Sequence, residues 1–130
     1  MTEHAHVSQA PEKDTLWLLT IAPAIWAAHL ILCYVTAAVW CAKFAAPAGS
    51  LGGVRSAIGW YTAVALIGIT MVGWKGYRGH SYGTETTTHD LDTREDRHRF
   101  LGFATLLLAG LSATGTIYVA LAGAFFDTCL

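Results

Sequence analysis

The chain has 130 residues, 54% of them apolar and only 13% charged, with eight Lys or Arg against nine Asp or Glu. That balance lies outside the range of water-soluble domains and calls for a lipid solvent. A net charge near zero, with no clustered basic face, excludes a nucleic-acid partner.

Residues 1–14, MTEHAHVSQAPEKD, read as a polar tail ending at Asp14 or Thr15, either of which can cap a following helix. His4 and His6 lie in this tail, and two imidazoles without further ligands do not make a metal site. Three acids against one Lys, ahead of an apolar stretch about twice the length of a signal core, argue against a cleaved signal peptide.

Residues 15–130 form one membrane domain. Its three apolar blocks, 16–42, 56–74 and 100–126, contain no Asp, Glu, Lys or Arg. Each approaches or exceeds the roughly 20 helical residues that cross a bilayer core. The predicted fold is all-α, an integral membrane protein with three transmembrane helices. Pro23 falls in the first turns of the first span, where a kink is tolerated if neighbouring helices serve the freed carbonyl. Trp17 and Trp40 bracket that span, Trp60 and Tyr61 open the second, and Trp74 and Tyr77 close it, as interfacial aromatics do.

The first loop, KFAAPAGSLGGVR, is short and rich in Gly, Ala and Pro, which makes spans one and two antiparallel neighbours. The second, residues 75–99, ends in the run DLDTREDRHR, with Thr93 and Asp96 spaced as a helix start. The third span is therefore expected to begin before it enters lipid. Six of the Lys and Arg (13, 75, 78, 94, 97 and 99) flank one side and two (43 and 55) the other. Positive charge is retained in the cytoplasm, so the N-terminus and the 75–99 loop are expected inside and the C-terminus outside.

His29 is the one strongly polar side chain near the middle of a span, and such a residue is by default a candidate for function. At 100° per residue Trp26, His29, Cys33, Thr36 and Trp40 share one stripe of the first span. His29 and Cys33 are weak candidates for holding a metal or haem, since imidazole and thiolate both ligate such groups. Two ligands are too few, and no second intramembrane His exists. The competing readings are a hydrogen bond to a carbonyl or hydroxyl across a helix interface, and a proton relay. Cys41 and Cys129 fall at the outer ends of spans one and three, which leaves open a disulfide, two free thiols, or a dithiol handling Cu(I).

Small residues mark packing faces: Gly102, Ala109, Gly110, Ser112, Ala113, Gly115 and Thr116 in span three, and Gly59, Gly68, Gly73, Thr62 and Thr70 in span two. They exceed what a three-helix bundle needs, so some faces are expected to dock on another membrane protein. The expected partner interface comprises Trp26, His29, Cys33, Thr36, Trp40, Gly110, Ser112 and Ala113. No zincin helix, phosphate-binding Gly loop, nucleophile elbow or paired intramembrane carboxylates are present in the sequence, and the chain is not expected to be an enzyme.

The stretch from Leu16 to Lys43, above all APAIWAAH at 22–29 with Cys33-Tyr34 and Trp40-Cys41, resembles the first span of small three-helix membrane proteins encoded beside bacterial haem-copper terminal oxidases. Arg97-His98-Arg99-Phe100 and Cys129 extend the resemblance over most of the chain. It implies a multi-pass protein of the bacterial inner membrane, surrounded by lipid and other integral subunits. Its role would be that of a non-catalytic accessory subunit or assembly factor of the respiratory oxidase, with haem and copper held by the partner complex. The alternatives are a redox or metal-handling protein using His29 and Cys33 or Cys41 and Cys129, and a small oligomeric transporter or channel component.

The charge asymmetry predicts that an epitope inserted at residues 84–88 resists protease added to intact spheroplasts, while one fused after Leu130 is digested. Anti-tag blotting before and after permeabilisation reads the outcome.

Overall fold

The structure is a computed structural model that describes residues 10–44, 51–81, 94–126 and 129. Three helices account for nearly all of them: α1 (Ala10–Lys43), α2 (Gly52–Ser81) and α3 (Arg94–Phe125). Windows Leu16–Lys43, Gly52–Arg78 and Arg99–Phe125 are long and apolar enough to cross a membrane. The all-α, three-helix architecture expected from the sequence is present.

The helices outrun the apolar blocks. α1 begins at Ala10 instead of at a cap on Asp14 or Thr15, which puts Pro11 in the first turn, where a missing N–H breaks no helical bond. α2 starts at Gly52 and runs past Trp74 to Ser81, with the Arg78 guanidinium 5.9 Å from the Trp74 ring centroid. α3 starts at Arg94, ahead of its apolar block as expected; Thr93, its proposed cap, lies outside the described residues. α1 remains a single helix through Pro23.

The buried positions step by three, four or seven, the repeat of left-handed helix packing. On α3 they are Gly102, Thr105, Ala109, Ser112 and Thr116. On α2 the series runs Val54, Ile58, Ala65, Ile69, Val72 and Gly76. On α1 it is Ala22, His29 and Cys33, with Trp26, Thr36 and Trp40 half-buried in line with them. In a membrane, where lipid is as apolar as leucine, no hydrophobic force drives helices together and close contact has to do so. The small side chains of α3 permit it. A Cβ on Gly76 would stand 3.1 Å from Thr105 Cγ2 and 3.2 Å from the Gly102 carbonyl oxygen, and one on Gly73 would stand 3.4 Å from Ala109 Cβ.

Large side chains use four other glycines as seats. Ile25 sits over Gly68 and Trp40 over Gly53, each 3.2 Å from where a Cβ would be, and Ile58 lies 3.0 Å from that of Gly123. The tightest seat is Trp26 on Gly115, where a Cβ would be 2.6 Å from the indole nitrogen. Two apolar clusters result. Ala22, Ile69, Val72 and Ala109 form one, and Cys33, Leu51, Val54 and Ile58 form the other. His29 lies between them along α1. The small-residue surplus inferred from the sequence therefore shrinks, because several of those residues are consumed inside the chain, Gly68 and Gly115 by α1 and Gly73, Gly102 and Ala109 between α2 and α3.

Gly115→Ala is expected to displace Trp26 and cost about 1–3 kcal/mol of stability, the usual range for overpacking. Gly110→Ala, exposed and with nothing within 4 Å of the new Cβ, is expected to be neutral or stabilising by up to about 1 kcal/mol. Thermal unfolding of both variants in mild detergent compares them.

Candidate functional site

The site is built around His29, which is 2% exposed. Its Nε2 lies 3.0 Å from Thr62 Oγ1 on α2 and 3.5 Å from Cys33 Sγ one turn along α1. Thr62 also donates its hydroxyl proton to the Ile58 carbonyl at 2.7 Å. A hydroxyl has one proton. Thr62 Oγ1 must therefore accept from His29, and Nε2 must carry the imidazole proton. An imidazole buried in an apolar interior with no charged partner stays neutral, so with its one proton on Nε2 the ring is the Nε2–H tautomer, Cys33 Sγ is a second, weak acceptor, and Nδ1 presents a bare lone pair. Both His29 Nδ1 and Trp26 Nε1 are buried without a hydrogen-bond partner among the described residues.

Other hydroxyls within the apolar windows are similarly occupied. Thr105 and Thr116 donate to the carbonyls four residues back, Leu101 and Ser112, at 2.8 Å each. Such back-bonding satisfies a hydroxyl that would otherwise be stranded in hydrocarbon.

The stripe offered by the sequence as a partner interface is turned inward. His29 and Cys33 are buried against the chain's own helices, Trp26 rests on Gly115, Trp40 packs over Gly53 and tilts against Phe44 with centroids 5.4 Å apart, and Thr36 is half-buried. Ser112 is buried and Ala113 packs against the Ala22 cluster. Of the eight residues, Gly110 is the one on the exposed surface. The physical reason is that a stripe this rich in polar and aromatic groups finds acceptors and glycine seats on α2 and α3 and is not left to lipid. Sequence reasoning did not single out Thr62 as the acceptor or Gly53 as a seat. The available signal was Thr62 as a mid-span hydroxyl in a neighbouring antiparallel helix.

Among the described residues no group of three or more His, Cys, Asp and Glu is arranged to hold a metal ion. His29 and Cys33 remain a pair. Cys41 and Cys129 are joined in a disulfide with Cα atoms 5.6 Å apart, closing a separation of 88 residues, and Cys33 is a free, buried thiol. The bond ties the end of α1 to the segment after α3 and packs beside Leu51, Val54 and Trp40. Beneath it a cleft of about 280 Å³ opens between Tyr34, Ala37, Val54, Arg55 and Phe126. A second, of about 240 Å³, lies between α2 and α3, with Arg55 and Thr62 among its walls and Gly59, Ala120 and Gly123 providing the space.

No protein-family model, curated protein or solved structure matches the chain.

Thr62→Val removes the acceptor and strands the His29 N–H, and is expected to cost about 0.5–1.7 kcal/mol, the range of interhelical hydrogen bonds in membranes; Thr62→Ser is expected to retain most of it. For the disulfide, Cys41→Ser, Cys129→Ser and the double variant are expected to lower the unfolding temperature equally, since each removes the same bond. Unfolding curves with and without reductant give both results.

Proposed function

We propose that the chain is a non-catalytic helical subunit or assembly factor seated against other membrane subunits of a bacterial haem-copper terminal oxidase. In this reading it lies in the inner membrane with the N-terminus and the 75–99 segment in the cytoplasm, and with the disulfide on the oxidising, outer side. Haem and copper belong to the partner complex. The family assignment draws on the resemblance of the first span. The seating draws on one structural observation, the dent at Gly110 on the exposed face of α3, flanked by exposed Leu107 and Leu111.

A partner helix can approach closely where a glycine leaves the surface open, and membrane interfaces favour such positions. Thr114, one turn on, gives its hydroxyl to the Gly110 carbonyl at 2.9 Å, so the dent presents no unmet hydroxyl donor. The metal-handling alternative is weakened, because its outer pair, Cys41 and Cys129, is consumed by the disulfide.

The reading predicts that the tagged chain, gently solubilised, co-migrates with a haem-absorbing complex in native gels. Gly110→Leu is expected to abolish co-migration while leaving the Cys41–Cys129 bond intact on non-reducing gels. A wild-type chain that migrates alone, under conditions that preserve respiratory complexes, overturns it.

A further inference from the structure

Trp26 Nε1 and His29 Nδ1 are the buried side-chain nitrogens without a partner among the described residues, and they stand three residues apart on one face of α1. Side chains at that spacing are neighbours on a helix. Their chemistry is complementary. An indole N–H can only donate, while Nδ1 of an imidazole kept neutral by burial, with its one proton on Nε2 toward Thr62, can only accept. They do not bond each other.

The position of the indole narrows the options. A Cβ on Gly115 would stand 2.6 Å from Nε1, 3.0 Å from Cδ1 and 3.2 Å from Cε2. Distances that close to all three atoms place the glycine under the ring face. The N–H lies in the ring plane, so it is directed past Gly115 and not into it. Among the described residues no charged group sits against His29: its neighbours are Cys33 on α1 and Thr62 on α2, and the apolar windows of all three helices lack Asp and Glu.

We propose that Trp26 Nε1–H and His29 Nδ1 hold one water molecule in the middle of the bundle, accepting from the indole and donating to the imidazole. A buried water needs two to four polar partners, and these two supply one of each kind. With it, the donors form a single directed series: indole N–H to water, water to Nδ1, Nε2–H to Thr62 Oγ1, and Thr62 O–H to the Ile58 carbonyl. The series crosses from α1 to α2 and ends beside the α2–α3 cleft that Thr62 lines. Hydrogen bonds aligned head to tail polarise one another, so each link strengthens its neighbours.

The test is magic-angle-spinning NMR of the full chain in lipid bilayers, labelled with ¹⁵N at His and Trp. The expected spectrum shows His29 as the Nε2–H tautomer and a water-to-indole cross peak at Trp26 that is lost in His29→Phe and kept in Cys33→Ala. Oxidation of Cys41 and Cys129 on a non-reducing gel verifies that each variant has folded. The Nδ1–H tautomer, or a Trp26 indole with no water cross peak in the folded wild-type chain, overturns the proposal. A cross peak that persists in folded His29→Phe also overturns it, because the water would then not depend on the imidazole.

Discussion

Hydrocarbon offers no hydrogen-bond partner, so in helices long and apolar enough to cross a membrane each polar group has to be met inside the protein. The helical backbone meets most of that demand. Thr105 and Thr116 turn their hydroxyls back onto their own helices. His29 is too long and has too many polar atoms for that device. It needs a second helix, and Thr62 provides an acceptor because its own proton is already committed to Ile58. This pairing fixes one point of α1 against α2, beside the close contacts of Ile25 on Gly68 and Trp40 on Gly53.

Around that fixed point the bundle is a fitting of large side chains onto glycines. Ile25, Trp40 and Trp26 of α1 are seated on Gly68 and Gly53 of α2 and on Gly115 of α3. α2 and α3 approach each other by a different route, with small residues on both sides, Gly73 and Gly76 facing Ala109, Gly102 and Thr105. α1 thus supplies most of the bulk, with Ile58 of α2 on Gly123 of α3 the exception. Dispersion contacts of this kind are individually tiny but collectively large, which is why a single added methyl at a seat matters while one at Gly110 meets nothing.

The three helices could be read from the sequence because an unbroken apolar run of bilayer length has almost no place in a water-soluble fold. Their ends could not, since Pro11, Lys75 and Arg78 are polar or helix-breaking by composition yet compatible with a first turn or an extension beyond the apolar window. The stripe carrying Trp26, His29 and Cys33 was legible as a face, but periodicity gives an angle around one helix and not the identity of what stands opposite. Assigning it to a partner protein was the natural reading of a polar stripe in isolation; Thr62 and Gly115, distant in sequence, turn it inward. Small residues were similarly ambiguous, as Gly115 and Gly110 look alike in the sequence while one is the tightest seat in the fold and the other lies open. The cysteine pair was accessible because topology alone put both thiols at the same end.

That pair has a consequence for the order in which the protein is made. Cys41 lies near the end of α1 and is synthesised early, whereas Cys129 comes only after α3. The bond cannot close until all three helices have been made and the far end of α1 has met the segment after α3. Its oxidised form is thus a chemical timestamp of a finished bundle, written into the chain by the act of folding.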